Sequence, residues 1–184
     1  MRAKQAVTEA CAGRRVAVVC SGDSGVYGMA SIAFEIAAAE AAPVDIEVVP
    51  GVTAALAVAA LLGAPLGHDH AVISLSDLLT PWGAIEHRVR AAAEADLVTA
   101  MYNPRSNGRQ WQLPAACAIL LEHRAPSTPV GIVTAAGRPD EQVTITTLGE
   151  IDPTTVGMTT CVVVGSSTTR IMAGHMVTPR GYDP

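Results

Sequence analysis

The chain has 184 residues, 49% hydrophobic and 16% charged, with a net charge of -5, which describes a globular domain or a pair of small ones with a buried core. The acidic balance supplies no overall field for nucleic acid or an anionic membrane surface, so those partners are not expected and any anionic ligand has to be met by local groups. No stretch reaches the roughly 18 uninterrupted apolar residues of a membrane span, and Met1-Arg2-Ala3-Lys4 leads into an amphipathic pattern rather than a signal-peptide core.

Ala3, Ala6, Val7, Ala10 and Cys11 mark one helix face, which Gly13 ends before the strand-like run RVAVVC. The turn SGDSGVYG, residues 21 to 28, then hands over to a helix with Met29, Ile32, Ala33 and Ile36 on one side. Pro43 breaks that helix, and VDIEVV alternates as a strand does, completing a βαβ unit. After Pro50-Gly51, VTAALAVAALLG is apolar on every side and predicts a buried helix. The pattern resets around GAPLGHDH, which places a domain boundary at 67/68.

HAVISLS predicts a strand, and Thr80-Pro81 an N-cap and first position for a helix carrying Ile85, Val89, Ala92 and Ala93. DLVTAMY is the next strand, and after the turn YNPRSNG a helix starts near Pro114. PVGIVTA and VTITTLGEI are separated by too few residues for a crossover helix, so they should pair antiparallel, followed by the strand GMTTCVVVG. The expected fold is α/β in two lobes, 1–67 with a parallel layer and 68–184 with a mixed sheet.

Ligands of open α/β sheets collect where strand ends lead into helix N-termini. SGDSGVYG occupies such an end, with glycines that let backbone approach a ligand and Asp23 to accept from an ammonium or a hydroxyl; the competing reading is a turn whose Asp23 and Ser24 cap the next helix. One carboxylate without Lys or Arg disfavours a polyphosphate and suits a nucleoside or amino-acid ligand. PGVTAA, with Thr53 and Ala54, is a second strand end, against a plain Thr N-cap. MYNPRS is a third, with Tyr102, Asn103 and a carboxylate clamp in Arg105, against an ordinary Asn-Pro turn. The five histidines show no HxxxH or HExxH spacing, and no metal is assigned. There is no GxSxG elbow, so hydrolysis has little support. Cys11, Cys20, Cys117 and Cys161 lack CxxC spacing and are expected as buried free thiols in a reducing cytoplasm.

Taken in order, SGDSGVYG, VVPGVTAALAVAALLGAPL, MYNPRS, VGIVTAAGRPDEQVTITTLGEI and GMTTCVVVG resemble the tetrapyrrole methylase family over nearly the whole chain. Within it, MYNPRSNGR and WQL are similar to the branch that methylates a cobalamin precursor at C17 and contracts its ring. The resemblance implies S-adenosylmethionine as methyl donor, a tetrapyrrole substrate, a homodimer, and two α/β domains with the donor between them. Carried over by motif, Gly22, Asp23, Val26, Thr53 and Ala54 contact the donor. Tyr102 or Asn103 and the turn from Thr134 to Ala136 line its adenosine end, and Arg105 is the clamp for substrate carboxylates, with Arg88, Arg109 and Arg138 as alternatives. No catalytic acid or base is implied. The family pattern also places a strand and a Gly-Pro-Gly loop ahead of the helix at 3–11, so the first lobe is expected to be truncated. A cofactor-binding remnant without turnover and a sibling methylase with another substrate are the alternative readings.

Overall fold

The computed structural model describes residues 2–182, which divide into two compact units, one running through Ala54 and one starting at Ala55. In the first unit, helix α1 (Arg2–Cys11) packs against α2 (Ala30–Ala39). α1 stops where the sequence predicts: Gly13 takes φ 81°, and the Gly13 and Arg14 amides donate to Ala10 and Glu9. α2 closes in the same way at Ala41, φ 46°, before Pro43.

The strands expected at RVAVVC and VDIEVV do not form. Both segments stand outside any ladder among the described residues and together line a groove of about 700 Å³. A run becomes a strand only when a neighbouring backbone completes its hydrogen bonds, and among the described residues neither segment is in such a ladder. Their valines are left wet, Val19 at 86% and Val49 at 71% exposure. The first unit is therefore a helix pair with two unpaired segments rather than a parallel layer.

The second unit carries α3 (Ala54–Leu62), β1 (Gly63–Ala64), β2 (His70–Ser74), α4 (Trp82–Glu94), β3 (Val98–Tyr102) and α5 (Gln112–Leu121). It continues with β4 (Pro129–Thr134), β5 (Gln142–Thr147), β6 (Thr160–Val164), β7 (Arg170–Met172) and β8 (His175–Val177). The main sheet runs β2-β3-β6-β4-β5; β2 and β3 are parallel, and every other pairing in it is antiparallel, including the β4–β5 hairpin read from the sequence. α4 starts one residue later than expected, with Pro81 in the cap position and Trp82 first. α5 begins at Gln112, and Pro114 fits in its first turn, where no intrahelical N–H is required.

Ile73, Met101, Val162 and Ile132 fall in one row of the sheet and share a core with Ile85, Val89, Leu113 and Leu120 of α4 and α5. Side chains alternate along a strand, so Gly131 faces the opposite side from Val130 and Ile132. A Cβ on Gly131 would collide with the δ-carbons of Leu62, which places α3 over that second face. This packing moves the domain division from the predicted 67/68 turn to 54/55: α3 belongs with the sheet it covers, and β1, which follows it, pairs with β8. α3 is also not buried all round; Ala55, Val58, Ala59 and Leu62 are covered, whereas Leu56 is 54% exposed.

Leu62 is fully buried, so Leu62→Ala should cost about 2–5 kcal/mol through lost contacts and a residual void. Gly131→Ala alone should cost about 1–3 kcal/mol by overpacking. The double variant should be more stable than the sum of the two losses, because the new methyl fills the vacated space; urea unfolding of the four proteins measures the coupling.

Candidate functional site

In the first unit the turn 21–28 and the turn 50–53 are stapled by one side chain. Asp23 Oδ1 accepts from the Gly25 amide at 2.7 Å, and Oδ2 accepts from the Gly51 amide at 2.9 Å. These two bonds, Gly51 first, hold the Asp23 carboxyl below its ordinary value of 3.8. Helix α2 starts at Ala30 with Met29 as its cap residue and no side-chain cap bond, so the helix-capping reading of Asp23 and Ser24 is replaced by a loop-to-loop staple. The glycines are steric requirements here. Gly22 sits at φ 90°, with Val52 O 3.3 Å from where a Cβ would be, and a Cβ on Gly51 would run into the Gly22 carbonyl. Thr53 lies against Gly22, its Cα 3.9 Å from the same point.

In the second unit β2, β3 and β4 end at one edge of the sheet. Ser74 pairs with Tyr102, and one row back Met101 and Ile132 both pair with Val162, so Tyr102, Asn103 and the 134–136 turn leave from the same side. Tyr102 is tied to α3: its Oη accepts from the Ala55 amide at 2.6 Å, in the first turn of the helix. Asn103 takes φ 50° and donates from Nδ2 to Ser74 Oγ at 3.0 Å, while its carbonyl accepts from Arg109 Nη1 at 2.9 Å. Ala135 is also left-handed, φ 53°, and donates to Thr159 O. Thr134 and Thr160 share a hydroxyl bond of 2.8 Å. The edge thus presents turns whose backbone is held in place, with half-buried Arg105 beside them, Nη1 3.5 Å from Val156 O.

With that geometry in view, comparison with known proteins is decisive. The sequence pattern of the tetrapyrrole (corrin/porphyrin) methylases matches residues 2–152. A probable cobalt-factor III C(17)-methyltransferase from Salmonella typhimurium is 49% identical over 181 residues, which cover 98% of this chain and 75% of the relative. A precorrin-3B C(17)-methyltransferase from a Sinorhizobium species is 48% identical over 189 residues, 98% of this chain and 74% of that protein. The crystal structure of the methyltransferase CobJ superimposes with a TM-score of 0.92 at 42% identity, covering 97% of this chain and 75% of the other. The chain belongs to the tetrapyrrole methylase family. It is a C-methyltransferase with the mixed α/β fold of that family.

Within this methylase the sequence-derived residues form two groups. Gly22, Asp23, Val26 and Thr53 stand on the loops of the first unit, and Ala54, its last residue, opens α3. Tyr102, Asn103, Thr134, Ala136 and Arg105 stand at the sheet edge of the second. Of the alternative cations, Arg109 is 6% exposed and spent on the Asn103 carbonyl and on Met158 Sδ at 3.6 Å, which leaves it as the tie that shapes the loop. Arg88 and Arg138 are exposed. Sequence reading missed Ser74 and Gln112; nothing in the spacing marks them, since their partners Asn103 and Asp77 lie 29 and 35 residues away. Cys117 and Cys161 are buried, their thiols pushed up to about 12 by desolvation, and so are inert; Cys11, expected inside, is exposed. Among the described residues no cluster of three or more His, Cys, Asp or Glu offers a metal site, and no helix is long and apolar enough to cross a membrane.

The staple sets a pH dependence. Because folding lowers the Asp23 carboxyl, its contribution is fully present above 3.8 and is lost as pH falls through the folded value. The Gly25 and Gly51 amides should therefore be protected from hydrogen exchange near neutrality and lose protection together below pH 3.8. Asp23→Ala should remove that protection at every pH.

Proposed function

We propose that this chain transfers the methyl group of S-adenosylmethionine to C17 of a cobalamin-precursor tetrapyrrole of the cobalt-factor III or precorrin-3B type. The observation that carries the reading is the identity of 49% and 48%, over 98% of this chain, to C(17)-methyltransferases. The donor set fits the methyl donor: the loops offer glycine-rich backbone, hydroxyls and a carboxylate, groups that suit an amino acid joined to a nucleoside, and no cluster of cations of the kind a polyphosphate requires. When bound, S-adenosylmethionine supplies a methyl already activated on a sulfonium.

What remains for the protein is orientation. An in-line displacement at such a methyl needs the acceptor carbon held opposite the leaving sulfur in a site from which water is excluded, and it needs no protein nucleophile. Gly22, Asp23, Val26, Thr53 and Ala54 would hold the amino-acid end of the donor, and Asn103 with Thr134 to Ala136 its adenosine end through backbone groups. Tyr102, whose Oη accepts from the Ala55 amide, contributes its ring and the placement of α3. Arg105 is the clamp for a substrate carboxylate. Two copies of the chain acting as a dimer in a cytoplasmic pathway complete the proposal.

A donor-binding unit without turnover is the second reading, favoured by the two unpaired segments of the first unit. Transfer of label from S-adenosylmethionine to cobalt-factor III separates the two, and C17-methylated product is the expected outcome. Calorimetry with S-adenosylhomocysteine should give a binding heat that Thr53→Trp weakens by at least about tenfold, or about 1.4 kcal/mol. An undetectable heat for the folded wild type, or an unchanged affinity in the variant, would count against the assigned loops.

A further inference from the structure

The loop between β2 and α4 breaks the usual rule that loop tips are polar. Leu78 is 77% and Leu79 97% exposed, side by side, at the sheet edge where Asn103 also leaves. Mobile loops often carry such residues at little cost, but this one is fastened at both ends. On one side, buried Gln112 donates from Nε2 to Asp77 Oδ2 at 2.9 Å. On the other, Trp82 meets Trp111 edge to face, with ring centroids 4.7 Å apart. Both anchors, Trp111 and Gln112, are consecutive residues at the start of α5. The four residues Leu78 to Pro81 are therefore a strap spanning two fixed points, with two leucines held out into water and half-exposed Trp111 beside them.

We infer that this strap is the apolar platform on which the tetrapyrrole lies, Leu78 and Leu79 contacting the face of the macrocycle while Arg105, on the neighbouring loop of the same edge, meets a carboxylate on its rim. The inference rests on the methyltransferase reading and adds the surface that receives its substrate. A flat ring system with a charged periphery needs an apolar contact and a cation, and the adjacent loops leaving this edge carry both. Pre-fastening the strap matters because a leucine already held in its bound position loses little freedom when the ligand arrives. Asp77 and Gln112 are positioning residues: they touch the strap and α5 rather than the ligand.

The chain has two tryptophans, both next to the strap, so tryptophan emission reports ligand arrival there. Cobalt-factor III titrated into the 184-residue chain should quench it. The paired change Leu78→Asp, Leu79→Asp should raise the macrocycle Kd by about tenfold or more and leave the S-adenosylhomocysteine Kd within about twofold. Asp77→Ala should raise KM for the macrocycle with kcat little changed, and Asp77→Asn, which keeps an acceptor for Gln112, should restore it. An unaltered macrocycle Kd in the leucine variant overturns the proposal. So does a wild-type dimer that the leucine variant converts to monomer in sedimentation with macrocycle affinity intact, since the strap would then be covered by a second copy. Wild-type protein that binds neither S-adenosylhomocysteine nor the macrocycle overturns the methyltransferase reading along with the strap.

Discussion

Ile73, Met101, Val162 and Ile132 lie side by side across four strands, and the space between them and α4 and α5 is filled with no room for a slip. A shift of one residue in any of these pairings would turn that strand's core residues to the other face. The register is thus held by burial, and burial fixes what lies one residue further on. Ser74 and Tyr102 must then face α3, and the loops carrying Asn103, Ala135 and the leucine strap must leave from a common edge. Tyr102 uses that orientation to accept the Ala55 amide, satisfying one of the donors that a helix start leaves open. The placement of these loops is thus a by-product of core packing.

Much of this was legible locally. The helix stop at Gly13, the β4–β5 hairpin and the strands at HAVISLS and DLVTAMY each depend on chemistry within a few residues, and each forms as read. What failed to be legible depended on distant partners. VAVVC and VDIEVV have the composition of strands, yet composition cannot supply the neighbour that a ladder needs, and both remain unpaired. α3 looks uniformly apolar, and which of its sides is covered depends on Gly131, some 70 residues away along the chain, accepting Leu62.

The site residues divide along the same line. Asp23 reads in the sequence as an acceptor for a ligand ammonium or hydroxyl; in the structure the groups it accepts from are protein amides, Gly25 and Gly51, and the second lies 28 residues on. A carboxylate with both oxygens engaged still has lone pairs to spare, so the staple and a ligand contact are compatible; the staple sets where the ligand would meet it. Arg105 and Arg109 could not be ranked from MYNPRSNGR alone. Their fates differ because Arg109 turns inward beneath the loop to the Asn103 carbonyl, while Arg105 stays half-buried at the rim.

On the reading proposed above, a chain of net charge -5 meets substrate carboxylates with local cations, and several of its arginines are committed elsewhere. Arg124, its side chain fully buried, is turned to the carbonyls of Ala92 and Leu97. Arg90 is paired with Glu122 and Glu86, and Arg14 with Glu9. At the sheet edge the inward turn of Arg109 leaves Arg105, whose contact to Val156 O is long at 3.5 Å; beside the Thr154 hydrogen bonds, its charge helps to lower the Asp152 carboxyl. One cation orients a ligand but gives modest affinity when water competes for it. Apolar contact then has to carry the larger share of binding, and at this edge Leu78 and Leu79 are exposed on a loop tied at both ends by the Asp77–Gln112 and Trp82–Trp111 contacts.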